Sequence, residues 1–480
     1  MRFKTKHRVF FIQLEEQAFQ RLKNEVTQNN LNYPKGDKHI KLDIACFFIN
    51  LIDKRRTLLG EEADDGYVPL MSKILKKYHY DYKRYITFLR DKNFIEVRDG
   101  YSTYLKKSKQ YRVIYSKEPF SLIQFFPKDS VFEKKVKEIE EKERIRADRS
   151  CRHLTKWLHP EFLSINDSEA NKKIDELMYQ GYFSDGHYAK RKQKIDFLEK
   201  GYISYKREGK DNRLHSVLTN LPKDLRSFLR FEQTKKLISL DLKSSQPYML
   251  AGLMNLVIEG GSTNIDIAVS RIIGSKRRKD ISCIINMWKE NLSPTDIADF
   301  RAYIKLVLED DIYDYVGRNL SKEFINKNFR LGRYSDKFYS KYSGKKKWKH
   351  FDSKRDFSKV TFLEYLYSSD NNNEERIKEV KRILPKAVSK FITSLKKHKK
   401  NDFPIFLQNM ESFLIIDVIT KKFAKKYPNA PLYTIHDSVA TTGEYAYVMK
   451  EALEEDLFNF FGIKPKVISE KWMEDPSEAA

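Results

Sequence analysis

The chain has 480 residues, 40% of them hydrophobic, with 32 Phe and 28 Tyr, which is enough apolar material for about two to four packed domains and excludes a disordered tail. A formal net charge of +25, spread over the whole length, suits a polyanion held in a long groove. No stretch of about 18 apolar residues and no isolated basic amphipathic helix is present, so a membrane is not among the expected partners. The segment Met1-Arg2-Phe3-Lys4 lacks the apolar core of a secretory leader. Cys46, Cys151 and Cys283 are scattered and odd in number, forming neither a disulfide framework nor a zinc set. Together these point to a reducing, cytoplasmic setting, in a bacterium or a virus-infected host cell.

In chain order, residues 1–130 open with alternating apolar segments and then a distinctive unit. Residues 69–79 and 81–93 read as two short helices, 94–97 as a strand, Arg98-Asp99-Gly100 as a turn, and 111–115 as a returning strand. Helix, turn, helix and a two-stranded wing resemble a winged-helix domain. The resemblance implies that the second helix enters a major groove, carrying Tyr82, Lys83, Arg84 and Arg90, with Lys106, Lys107 and Lys109 on the wing. Such domains also serve as protein–protein modules; the density of cations favours nucleic acid.

Residues 131–150 are almost wholly charged, with Glu and Lys at helical spacing, and read as an exposed connecting helix and domain boundary. Residues 151–235 look helical and basic. From 236 onward the pattern is strand, long helical region, strand hairpin, helix and strand, with Ser368-Ser369-Asp370-Asn371-Asn372-Asn373 as a loop. Asp241 ends the run Leu237-Ile238-Ser239-Leu240, and His436-Asp437-Ser438 sits between apolar runs as an acidic hairpin turn. Singly, each aspartate reads as a turn residue. As a pair at strand ends they have the form that two-metal phosphoryl transfer requires. Between them, Arg355, Lys359, Leu363 and Tyr367 recur every four residues on one helical stripe, with Phe362 and Leu366 beside it to seat the helix. Two cations one turn apart suit a triphosphate, and Tyr367 suits a base or sugar; an ordinary amphipathic helix with solvated cations carries the same pattern.

These motifs, in this order, resemble those of the family A nucleic-acid polymerases, which include the DNA polymerase I class and the single-subunit phage-type RNA polymerases. Asp241-Leu242-Lys243-Ser244-Ser245-Gln246 is similar to motif A, Arg-x3-Lys-x7-Tyr at 355–367 to motif B, and Ile435-His436-Asp437-Ser438 to motif C. Arg213-Leu214-His215-Ser216 with Asn220-Leu221-Pro222 resembles the motif preceding the palm. Leu407-Gln408-Asn409 resembles the opening of the helix before motif C, expected at 411–422. The five cover roughly the C-terminal 270 residues.

The resemblance implies an α+β right-hand fold: a thumb-like region at 151–235 and palm and fingers at 236–480, with fingers at about 255–400. It implies Asp241 and Asp437 as holders of two Mg²⁺ ions, for which Mn²⁺ can substitute, and Lys359 as the group that neutralises the leaving pyrophosphate. Arg355, Lys359, Leu363, Tyr367 and Gln246 would contact the nucleoside triphosphate. Arg213, Asn220, Gln408 and His436 would contact the primer-template. Basic runs at 276–279, 345–349 and 396–400 either grip backbone phosphates or are solvated faces. The sugar is open. Gln246 stands where the DNA enzymes carry Glu and the RNA enzymes Gly, Ser438 and Leu363 tilt toward RNA, and the short interval between motifs B and C leaves little room for promoter reading. A DNA polymerase of a plasmid, phage or mobile element is the leading reading, a compact RNA polymerase or primase the next, and a non-catalytic replication initiator the third. No acidic exonuclease signature precedes residue 230. The sequence is silent on oligomeric state.

Overall fold

Apolar side chains gather into two separate cores, one drawn from Ile12 to Val136 and the other from Ala147 to Trp472. The structure is a computed structural model that describes residues 12–57, 66–99, 108–114, 122–207, 209–260, 275–339, 346–368, 374–396 and 402–472.

In the first core, helices Leu42–Thr57, Ser72–Tyr78 and Tyr82–Asp91 pack on a three-stranded sheet. Strand Gln110–Val113 lies between Val68–Pro69 and Ile95–Arg98, antiparallel to both, with Val97 opposite Tyr111. Tyr82, Tyr85, Ile86, Phe88 and Leu89 recur at helical spacing and all face inward, which seats the helix on the protein and leaves a narrow outer face. The expectation for Tyr82 is therefore corrected: its ring is in the core, 8% exposed. Arg84 is also engaged, paired with Asp81 at 3.1 Å and donating to the Gly36 carbonyl at 3.2 Å. Lys83 is exposed on that helix, and Lys109 pairs with Asp99 at 2.6 Å. Lys106 and Lys107 lie outside the described residues. A second strand pair, Ile12–Glu15 with Leu122–Phe125, closes the unit by joining its two ends.

The charged segment 131–150 belongs to the helix Ser130–Thr155, capped by Asp129, which accepts the Phe132 amide at 3.0 Å. It joins the two cores, as its charge suggests, but only one face of it is exposed. Phe132, Val136 and Ile139 form a buried stripe at i, i+4, i+7 among the Glu and Lys, and Ala147, Cys151 and Leu154 continue it into the second core. One helix thus has a foot in each core, and its backbone kinks at Cys151.

The second core is built around a four-stranded antiparallel sheet, ordered Tyr433–Ile435, Ser438–Thr442, Leu237–Leu242, Val467–Lys471. Gly443–Phe461 packs on its strands, and Ser245–Ile258, almost every residue of which is buried, lies against that helix. These two helices approach so closely that a Cβ on Gly252 would run into the Phe461 ring. A long helical run goes from Asp402–Ser412 through a π-helical stretch, Phe413–Ile419, to Thr420–Lys426. It begins nine residues before the expected start at 411, because Phe403, Phe406, Leu407 and Met410 extend its apolar face backward. The stretch Phe403–Lys426 is long and apolar enough to cross a membrane, yet 78% of its most apolar window is buried inside the protein.

Residues 151–235 contain helices Asp167–Tyr179 and Asp185–Glu199, but also two short strand pairs, Leu163–Ile165 with Leu229–Phe231 and Tyr205–Lys206 with His215–Ser216. Between the sheet's first strand and the cationic helix the chain is mostly helical. It then adds a three-stranded antiparallel sheet of Phe329–Arg330, Arg333–Tyr339 and Lys346–Phe351, unforeseen in the sequence. Of the basic runs, Lys346 pairs with Glu374 at 2.5 Å, and Lys396 is buried with its ammonium on the Tyr365 carbonyl. The side chains of 276–279 lie outside the described residues. The architecture is mixed α and β, dominated by helices with small antiparallel sheets.

Candidate functional site

The site forms at one end of the four-stranded sheet. Asp241 lies near the end of its strand, directly opposite Ser438 on one side and Ile468 on the other. The Ser438 hydroxyl donates to Asp241 Oδ1 at 2.6 Å. Asp437, one residue earlier, occupies the two-residue turn that joins Tyr433–Ile435 to Ser438–Thr442, and His436 beside it has φ of 57°. Ser244, three residues after Asp241 and at the head of helix Ser245–Ile258, has φ of 52°. Two non-glycine residues in the left-handed region, one beside each aspartate, mark backbone held against its preference where the carboxylates meet.

Asp437 is half-buried, and its carboxyl is pushed well above the ordinary carboxylate range. Loss of solvent is the largest cause; the charges of Glu411 and Asp241 add to it, while Arg213 opposes it. Three carboxylates therefore converge, two from the sheet and one from the long helix. Glu411 is almost fully buried, 1% exposed. It pairs with Arg213 and accepts from the Ser245 hydroxyl and the Gln246 side-chain amide, each at 2.6 Å. Arg213 is thereby fixed against the acidic cluster instead of standing free.

The cationic helix, Lys354–Tyr367, faces this cluster. Ser353 caps it by accepting the Asp356 amide at 3.0 Å, and Phe357, Phe362, Tyr365 and Leu366 bury its inner face. Tyr313, on the neighbouring helix Ile312–Asn319, is the pivot of the arrangement. The Arg355 guanidinium and Lys359 ammonium lie 5.6 and 5.7 Å from its ring centre, while its hydroxyl meets Ser244, with Tyr367 and the carboxyls of Asp311 and Asp437 acting on it. Burial above all raises the Tyr313 hydroxyl beyond its usual range. Tyr367 is pushed up to about 12, by burial and then by Glu411, and its hydroxyl bonds Gln408. Gly317 lets the two helices close up: a Cβ there would sit 2.9 Å from Ser358 Oγ. Asp311 orients the cations, accepting from Arg355 at 2.8 Å and lying 3.6 Å from Lys243.

Asp241, Asp437, Arg355, Lys359, Tyr367, Arg213, Gln246 and Gln408 are thus linked through one continuous set of contacts. Leu363 is half-buried on the same stripe. Gln246 does not project as an open gate; it is 7% exposed and tied to Glu411. His436 still touches solvent, but the protein around its ring and then Arg213, His215 and Arg226 lower it to about 4, so it is neutral at pH 7. Asn220 lines a cavity together with His215, Ser216 and Val217.

Sequence reasoning missed Glu411, Tyr313 and Asp311. Glu411 had a readable signal: a carboxylate in the apolar stretch Phe403–Ile419, one helical turn from Gln408, has to find a partner once that helix is buried, as Asp417 in the same stretch does in Arg207. Tyr313 and Asp311 had none, because their role comes from helix packing.

Asp241 and Asp437 fit a divalent cation: a cation beside Asp437 would relieve the like-charge contact that now raises it. Among the described residues no group of three or more His, Cys, Asp or Glu side chains forms a ready metal cage, since Glu411 is spent on Arg213, Ser245 and Gln246. The pair matches a hard cation that keeps several waters and takes the rest of its shell from a phosphate ligand.

No family model and no curated protein matches the chain. Among solved structures, the polymerase domain of Pol1 from M. smegmatis, in complex with DNA primer-template and dNTP, aligns at 11% identity and a TM-score of 0.24, covering 63% of this chain. The chain spans 55% of that structure's length. A score of that size does not establish a shared fold.

Proposed function

We propose that the chain is a template-directed nucleotidyltransferase of the family A polymerase type, adding nucleotides to a primer 3′ end. The observation that carries this reading is the convergence of Asp241 and Asp437, 196 positions apart by their numbers, under a helix that presents Arg355 and Lys359. Two Mg²⁺ ions at the aspartates would supply activation of the primer hydroxyl and charge neutralisation on the leaving pyrophosphate. The protein's own groups do the positioning. Arg355, oriented by Asp311, and Lys359 grip the triphosphate, and Lys359 neutralises the departing charge. Leu363 and Tyr367 bound the base pocket. Arg213, fixed by Glu411, and Gln408, bonded to Tyr367, present donors to the edge of the nascent pair, and neutral His436 stands at the primer end. The N-terminal unit, with its wing-like sheet and exposed Lys83, is a nucleic-acid contact module in this reading.

A deoxynucleotide substrate is the leading choice. Gln246, large enough to gate against a 2′-hydroxyl, is held by Glu411, and Ser438 by Asp241; the ribonucleotide alternative stays open. Extension of one primed template with dNTPs or rNTPs decides between them. The proposal expects Mg²⁺-dependent primer extension with one of the two sets; absence of extension with both, by a folded protein, would refute it. Synthesis from rNTPs without a primer would establish the alternative.

A further inference from the structure

Between the two cores lies a cavity of about 420 Å³. Its walls come from the helix Leu42–Thr57, the bridging helix Ser130–Thr155, the helix Asp185–Glu199 and the segment 202–220. The volume is in the range of small-molecule sites. Six of its lining side chains are Lys or Arg against three Glu, so an anion is the ligand it favours.

Lys54, Lys137 and Arg144 among those cations already have carboxylate partners. Lys54 bonds the Tyr202 hydroxyl at 3.0 Å and lies 4.0 Å from Glu140; Arg144 pairs with Glu141 at 2.8 Å. Lys194 differs. It is 4% exposed, lines the cavity, and no carboxylate among the described residues pairs with its ammonium. Burial, and then the neighbouring Lys190, lower it to about 8. A buried ammonium that has a second ammonium one helical turn away and no carboxylate paired to it is in an unfavourable position. Aromatic rings also line the space: Phe197, buried and one turn after Lys194, has its ring 5.1 Å from that of Tyr202, over which the Lys54 ammonium lies at 4.5 Å, and Tyr78 and Tyr205 line the same space.

We propose that this cavity binds a mononucleotide, its phosphate on Lys194 and its base against the Phe197–Tyr202 pair. Aromatic faces beside a cation are the recognition set for a base joined to a phosphate. Because the walls belong to both cores, the bound nucleotide clamps the N-terminal unit to the larger one. The inference stands apart from the polymerase reading, since none of its residues belongs to the Asp241–Asp437 cluster.

The test is calorimetric titration of the full chain with 5′-AMP and with inorganic phosphate, in EDTA. The expected result is one AMP per chain, bound at least about tenfold more tightly than phosphate. Lys194→Met should weaken AMP at least about tenfold, while raising the melting temperature of the ligand-free protein by removing the unpaired charge. Lys359→Met should leave AMP binding unchanged. As a second readout, pyridoxal 5′-phosphate with borohydride should label Lys194, through an imine formed with loss of water and then reduced, and AMP should block it. No AMP binding by the wild-type chain, equal affinity for AMP and phosphate, or undiminished binding by the Lys194→Met variant would overturn the proposal.

Discussion

Replacing Asp437 with Asn keeps the shape of the turn and removes one charge from a crowded cluster. Asp437 ionises beside Asp241 and Glu411, opposed by a backbone hydrogen bond and by Arg213. At a separation of about 6 Å and an effective permittivity near 20, two like charges repel by about 3 kcal/mol. Solvent at the half-buried carboxyl and partial protonation reduce this, so Asp437→Asn should stabilise the metal-free protein by about 1–2 kcal/mol at pH 8. The sign with pH is fixed. A carboxyl raised in the folded state binds more protons there than in the unfolded chain, so the wild type loses stability as pH climbs from the ordinary carboxylate range toward neutrality. The advantage of the variant should therefore be small at pH 5 and grow toward pH 8. Urea unfolding in EDTA at several pH values measures it. Mg²⁺ should reverse the order, stabilising the wild type more than the variant. A variant that is less stable than wild type in EDTA at pH 8 would refute the electrostatic account of the turn.

Glu411→Gln should cost about 3–5 kcal/mol by leaving Arg213 buried without its counter-ion, and should lower the pH at which Mn²⁺ binds, read by titration at pH 5–8; unchanged stability would show that the pair is dispensable. Gly317→Ala should press on Ser358 and displace the cationic helix, raising KM for the nucleotide while melting stays close to wild type. Lys359→Ala should slow incorporation by about 10²-fold or more with primer-template affinity unchanged, measured by single-turnover extension and by anisotropy. Gly252→Ala should destabilise the sheet's back layer by about 1–3 kcal/mol, and a Phe461→Leu change in the same chain should restore part of the loss in denaturant titrations.

What the sequence disclosed was local and periodic. Asp241 at a strand end, the Asp437 turn and the four-residue stripe of Arg355, Lys359, Leu363 and Tyr367 are short-range patterns, and each lies in the element its pattern describes. Tyr82 was misplaced because a tyrosine on a basic helix reads equally as contact or core, and only the packing of Tyr82 with Tyr85 and Leu89 decides it. The buried face of segment 131–150 was hidden because Glu and Lys outnumber the four apolar residues, Phe132, Val136, Ile139 and Ala147, that carry its burial. Glu411 and Tyr313 were invisible as site residues: their meaning depends on which helices pack together, information that a single chain of letters carries only in its long-range contacts. The sheet Phe329–Phe351 was lost among lysines, which depress strand propensity yet tolerate an exposed hairpin.

The central claim is that Asp241 and Asp437 share bound cations. Crystals grown with Mn²⁺ and a nucleoside triphosphate, measured at the manganese edge, test it most directly. An anomalous peak within coordinating distance of both carboxylates, about 2.0–2.3 Å, and absent from the Asp437→Asn protein, is the expected result. Manganese bound elsewhere, with the two carboxylates left bare, would contradict it.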